Sequence, residues 1–147
     1  MSEAEVHGAA DVRLALIVES FQRLTGKPLI EVFDAQALWN APFAVVAHGT
    51  EADPVFFYGN RLALQLFGMS FSEFVHLPSR LSAEPMAQEA RIKLLEEVAQ
   101  RGFVDGYSGM RIAKNGARFM ITDTTVWNLI DADGLCHGQA AIFIARP

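Results

Sequence analysis

Two turn signals near the C-terminal end govern what this chain can become. Lys114-Asn115-Gly116-Ala117 carries an Asn-Gly pair, the strongest short hairpin signal. Asp131-Ala132-Asp133-Gly134 marks a second turn. Between them, residues 118–130 place Phe119, Ile121, Thr125, Trp127 and Leu129 at alternate positions, the period of a strand with one buried face. With 103–113 before and 135–145 after, the spacing predicts three consecutive antiparallel strands. The run Thr122-Asp123-Thr124-Thr125 interrupts that pattern, because a purely packed sheet face needs no four polar residues in a row.

The first half reads differently. Residues 1–10 form a loose tail. From there Leu14, Ile17, Phe21 and Leu24 recur at helical spacing, and Gly26 and Pro28 stop the helix. A shorter helix is expected over 30–39, carrying Ile30, Phe33, Ala37 and Leu38, with Asn40 and Pro42 ending it. Residues 42–47 and 55–58 read as short strands joined by the polar loop 48–54, a connection of hairpin size. Asn60 is placed to cap a helix over 61–67 that Gly68 closes. Ser70 to Glu73 forms a capping box, and Pro78 ends that short helix. A longer helix is expected from Met86 to Arg101, with Ile92, Leu95 and Val98 facing the core. The domain reading is a tail at 1–10, a helical extension at 11–41 and an α+β domain at 42–147.

Composition narrows the function. At 147 residues and 51% hydrophobic, with 11 Phe, the chain has material for one packed core. A net charge of −5 with scattered Lys and Arg offers no basic face for nucleic acid. No run approaches the roughly 18–20 apolar residues of a membrane span. An acidic N-terminus does not resemble a signal peptide, so the expected compartment is the cytoplasm. The single Cys136, expected to be a buried and inert thiol, excludes an intrachain disulfide. His7, His48, His76 and His137 are too dispersed for a local metal motif, and no metal is expected.

Several residues invite a chemical reading beside a structural one. His48, Glu51 and Asp53 could supply a base and its orienting carboxylate, or simply form a polar loop. Ser79, Arg80 and Ser82 could hold an anion, or Arg80 could tie an irregular loop to backbone carbonyls. Trp127, Phe119, Phe143 and Tyr107 could wall a small-molecule pocket or fill a core. Asn128 and Gln139 could orient a ligand or pair with each other.

The order of elements, with Tyr58, Asn60, Phe67-Gly68-Met69 and Ser70–Glu73, resembles the early PAS signature. The stretches 48–67, 77–85 and 115–143 are similar to the MEKHLA family, PAS-like domains found in bacteria and at the C-terminus of plant homeodomain-leucine zipper proteins. Within them Gly116-x-Arg118, Val126-Trp127 and the neighbourhood of Cys136 and His137 carry the likeness. That resemblance implies an α+β fold with a curved antiparallel sheet of about five strands and short helices on one side. It implies a stand-alone sensory or small-molecule-binding module, without an output domain, acting through a protein partner or homodimer. Candidate ligand residues are His48, Tyr58, Asn60, Arg80, Trp127, Asn128 and Gln139. Haem and photoactive flavin are disfavoured: 79–85 has no cysteine where the flavin photosensors carry theirs, and 86–101 has no histidine. Two alternatives stay open. One is an interaction module with a filled core. The other is a small cone-shaped α+β enzyme using His48 or Asp123.

Overall fold

The computed structural model describes residues 12–31, 34–83 and 85–146; the expected tail at 1–10 lies outside them. Helix α1 (Arg13–Thr25) forms where the apolar stripe predicts it, burying Leu14, Ile17 and Phe21. Helix α2 (Ala35–Trp39) is shorter than the expected 30–39. It begins there because the Asp34 carboxylate accepts a hydrogen bond from the Gln36 amide at 2.9 Å, a side-chain cap that fixes the first turn. Phe33 lies outside the described residues. Strands β1 (Ala44–His48) and β2 (Phe56–Gly59) follow, then helix α3 (Arg61–Phe67) and the single-turn α4 (Phe71–Phe74). Asn60 caps α3, and Ser70 and Glu73 form the reciprocal capping box of α4. A 3₁₀ turn (Ser79–Ser82) leads into the long helix α5 (Pro85–Arg101). The meander β3 (Phe103–Ile112), β4 (Arg118–Ile130) and β5 (Cys136–Arg146) completes the chain.

The five strands form one antiparallel sheet in the order β2-β1-β5-β4-β3. First and last strands therefore meet in the middle, with Ala44 opposite Phe143 and His48 opposite Gln139. The two chains come very close at that end. A Cβ on Gly138, whose φ is +138°, would sit 2.0 Å from the His48 carbonyl oxygen, so only glycine allows β1 and β5 to pair through to His48.

Each face of the sheet carries its own core. On the outer face α1 and α2 cover Val45, Ala47, Tyr58, Trp127 and Leu129. The α1 stripe is spent on the chain's own sheet. On the inner face α3 and α4 cover Val46, Phe56, Phe119, Ile121 and Phe143, while α5 covers Val126.

Strand β4 does not keep one parity along its length, as the alternation predicted. Phe119 and Ile121 face inward, but Trp127 and Leu129 face outward. The switch is a β-bulge between Thr122 and Thr125, where Asp123 takes φ +51°. One extra residue in a strand exchanges its two faces beyond that point. The polar run is the bulge itself. It leaves Thr124 wholly buried and places Val126 and Asn128 on the inner side.

Helix α5 turns Leu95 and Val98 inward as expected, but not Ile92. Ile92 is 52% exposed, whereas Arg91, Leu94 and Val98 are buried and Leu95 is partly so. Positions 91, 94, 95 and 98 form the i, i+3, i+4, i+7 stripe. The expectation ranked residues by hydrophobicity and so passed over a buried arginine.

Candidate functional site

The inner face is filled unevenly. Toward β2, aromatic rings close it: Phe56 stacks on Phe74 at 4.3 Å between centroids, and Phe67 meets Phe119 edge-on at 5.1 Å. Between α5 and strands β1, β3, β4 and β5 a cavity of about 60 Å³ remains. Its apolar wall is made by Phe67, Leu94, Ile121 and Val126, and its polar wall by His48, Arg91, Arg111, Thr124 and Gln139.

The framework around this cavity is built from neutral hydrogen bonds. Asn128 donates through Nδ2 to the Val98 carbonyl at 3.0 Å, and its amide nitrogen bonds the Gly102 carbonyl at 2.9 Å. Gln139 donates to the Leu95 carbonyl at 3.3 Å and to Asn128 Oδ1 at 3.1 Å. These two amides pin the C-terminal half of α5 to the sheet and so set the width of the cavity. At the other end, the Ser79 amide donates to the Pro54 carbonyl at 2.8 Å, tying the 3₁₀ turn to the start of β2.

Charge is distributed unusually here. Arg91 and Arg111 are only 8% and 9% exposed. Arg91 Nη2 donates to Ser79 Oγ at 2.5 Å; Arg111 Nη1 donates to the Met110 carbonyl at 2.7 Å and stands over the Tyr107 ring. Among the described residues neither forms an ion pair, while the exposed Arg80, Arg101 and Lys114 each have a carboxylate. Burial, reinforced by the like charge of Arg111, lowers the Arg91 pKa to about 10; Arg91 is still protonated at neutral pH. His48 is also buried. Its Nδ1 contacts the Gly49 carbonyl at 3.0 Å, and its buried Nε2 has no hydrogen-bond partner among the described residues. Desolvation is the largest influence on this imidazole and lowers its pKa, outweighing the Gly49 carbonyl, which raises it. His48 is neutral at pH 7.

The residues singled out from the sequence are dispersed by the fold. His48 and Gln139 line the cavity. Asn128 sits beside it and holds Gln139. Trp127, expected as a pocket wall, is on the opposite face, donating from Nε1 to Ser20 Oγ at 3.1 Å and packed edge-on against Phe21. Tyr58 is on that outer face too; its hydroxyl has no partner among the described residues, and burial pushes its pKa upward. Asn60 is fully buried and fully bonded. Its Oδ1 accepts from the amides of Val45 (3.0 Å) and Ala63 (3.1 Å), and its Nδ2 donates to the carbonyls of Leu38 (3.2 Å) and Phe43 (3.0 Å). Arg80 pairs with Asp53 at 3.1 Å, so its anchor is a carboxylate rather than backbone carbonyls. Glu51 accepts from the Val55 amide, and among the described residues no hydrogen bond joins it to His48, although the two act on each other electrostatically. Cys136, expected to be buried, is exposed, because β5 begins at the sheet's rim. Among the described residues no cluster of potential metal ligands occurs, and no helix is long and apolar enough to cross a membrane.

Arg91 and Arg111 escaped sequence reasoning altogether. The signal for Arg91 was present as a charged residue at the head of an otherwise apolar i, i+3, i+4, i+7 stripe. Arg111 carried none, since the bulges between Val104 and Gly109 scramble the parity of β3.

The sheet order and helix placement match those of solved PAS and light-oxygen-voltage domains. A PAS domain from Colwellia psychrerythraea superposes with a TM-score of 0.66 at 17% identity, covering 76% of this chain and 92% of that one. The light-state dimer of the fungal blue-light photoreceptor Vivid gives 0.65 at 17%, covering 93% and 95%. The light-oxygen-voltage domain of the Erythrobacter litoralis blue-light-activated histidine kinase gives 0.57 at 23%, covering 72% and 97%. No curated protein matches the sequence. The family model of the MEKHLA domain matches residues 12–145, nearly the whole chain. This chain belongs to the MEKHLA domain family and has the PAS-like fold.

Proposed function

We infer that this chain is a sensory module that binds a small molecule between α5 and the inner face of the sheet and signals through protein contacts. The cavity carries the reading. A core free to pack tightly would close over such a space, and this one is bordered by buried polar groups that hydrophobic packing alone does not call for. Occupancy would bear on α5 and β3, the elements that flank it.

The photoreceptor neighbours raise the question of flavin. The residues present do not fit one. Sites for drug-sized ligands span about 300–1,000 Å³, against a cavity of about 60 Å³ here. Arg91, Arg111, Phe56, Phe67 and Phe143 line that space. The ligand this cavity suits is small.

Native mass spectrometry of freshly purified protein, compared with the denatured chain, tests the reading. Excess mass from a small compound is the expected result. A bare mass, with no metabolite raising the melting temperature, would favour a second reading, an interaction module. The stacked Phe56, Phe67, Phe74 and Phe119 cluster gives that reading its support, because it shows that half of the inner face is already closed. The dimeric state of the Vivid neighbour makes a second copy of the chain a reasonable partner under either reading.

A further inference from the structure

Resting on the small-molecule reading, the identity of the ligand's charged group follows from what lines the cavity. Two guanidinium groups are buried beside the same space, each more than nine-tenths out of solvent. Among the described residues each makes one hydrogen bond, to Ser79 Oγ and to the Met110 carbonyl, although a guanidinium carries five N–H donors. Neither forms an ion pair with a carboxylate among the described residues; Asp53, which acts on Arg91 electrostatically, is itself paired with Arg80. A buried cation without a counter-charge is costly, and two side by side add mutual repulsion. The buried His48 Nε2, with no hydrogen-bond partner among the described residues, completes the polar wall beside Gln139.

We propose that the cavity is a binding site for a small carboxylate, its two oxygens held by Arg91 and Arg111 and its short apolar remainder lying against Phe67, Leu94 and Ile121. The planar fork of arginine matches the two oxygens of a carboxylate, and such charge-assisted pairs are roughly twice as strong as neutral ones. His48 and Thr124 stand nearby to read any further polar atom. The size follows from the space. One water position needs about 10–15 Å³, so a cavity of about 60 Å³ takes about four to six non-hydrogen atoms. Apolar walls on one side distinguish this site from a receptor for a fully hydrated inorganic anion. Bound carboxylate would offset one of the two charges, screen their repulsion and draw α5 and β3 together, since Arg91 belongs to one and Arg111 to the other.

The test is titration calorimetry of the full chain with acetate, propionate and pyruvate, with propionamide as the uncharged counterpart and inorganic phosphate as the other anion, in a chloride-containing zwitterionic buffer. Saturable binding of at least one carboxylate is expected, with propionamide silent and phosphate weaker. Arg91→Met and Arg111→Met should each weaken that binding by about tenfold or more. Both variants should melt no lower than the wild type without ligand, because each removes a buried, repelling charge. A purely structural role for the two arginines predicts the reverse, a lower melting temperature with binding unchanged. Should a variant fail to fold, the contrast between propionate and propionamide on the unmodified chain decides alone. Equal binding of propionate and propionamide, or binding of phosphate without any carboxylate, would overturn the proposal. Silence from every probe overturns it as well, and native mass spectrometry then separates the two failures. A neutral compound in the spectrum leaves the sensory reading standing, whereas a bare mass removes both.

Discussion

The two faces of the sheet are built from similar residues to opposite ends. On the outer face, α1 lays Ile17 and Phe21 against Val45, Trp127 and Leu129, and the indole N–H is satisfied by Ser20. Among the described residues no charged side chain is buried in this layer; the Arg13 guanidinium stands at its edge, over the Phe57 ring. On the inner face, the same strands meet rings at one end and a cavity at the other, and two cations and a neutral imidazole are kept from water there. Packed apolar layers contribute about 1.5–3 kcal/mol per large side chain; buried cations without partners oppose folding. The outer face stabilises the sheet, and the inner face carries buried charges that do not. Tyr58, whose buried hydroxyl has no partner among the described residues, is the exception on the outer side.

Truncating the centre of the outer layer sharpens this contrast most. Trp127→Ala should lower unfolding free energy by about 3–5 kcal/mol in urea denaturation, while leaving any ligand-dependent melting shift in place, because Trp127 does not border the cavity. A loss of ligand response without a loss of stability would reverse the assignment of the faces. Asn60→Ala comes next. It strips two amides and two carbonyls of their partner at the junction of α2, β1 and α3, and should cost roughly 2–3 kcal/mol. A change of only a few tenths would mean that water replaces those bonds and that Asn60 is not a staple.

Neighbouring alanines on β5 offer a finer test. Both border the cavity, but Ala140 is buried in the outer core and Ala141 packs, partly buried, against the inner one. Ala140→Val should destabilise by about 1–3 kcal/mol through overpacking, and Ala141→Val by less than half of that. Equal costs would show that the inner face is as tightly closed as the outer.

The smallest effect concerns pH. The folded pKa of His48 lies below its ordinary value of 6.5, so the folded chain binds a proton there less readily than the unfolded chain does. Stability from the neutral imidazole is complete above about pH 6.5 and is lost as the pH falls below it toward the folded pKa. Wild-type chemical denaturation should therefore show declining stability below that point, and His48→Gln should flatten the decline. The carboxylates whose pKa values are also lowered, Glu51, Glu73 and Asp131, act only at more acidic pH. An identical slope in wild type and variant would place the titrating group elsewhere.

Much of this architecture was legible from local chemistry. Asn115-Gly116 gave the hairpin, Asn60 and the Ser70–Glu73 box gave helix starts, and the α1 stripe gave its buried face, because each depends on residues close in sequence. The long strand betrayed the limit. Odd-numbered apolar residues from Phe119 to Leu129 look like one face, and only the left-handed Asp123, a property of tertiary pairing between β3, β4 and β5, divides them between two cores. That same bulge carries Trp127 away from the cavity and Thr124 toward it. Of the anticipated site, His48 and Gln139 are at the cavity, whereas Arg91 and Arg111 entered only with the structure. Period arguments assume that what faces inward is apolar, and around this cavity that assumption fails.

The central claim is that ligand enters the inner cavity and leaves the outer layer undisturbed. Heteronuclear NMR titration of the labelled chain with propionate tests it residue by residue. The His48 ring resonances, the Gln139 side-chain amide and the Arg91 and Arg111 guanidinium signals should move together and saturate, while the Trp127 indole N–H stays fixed. Movement centred on Trp127 and α1, with His48 and the two arginines unchanged, would contradict it.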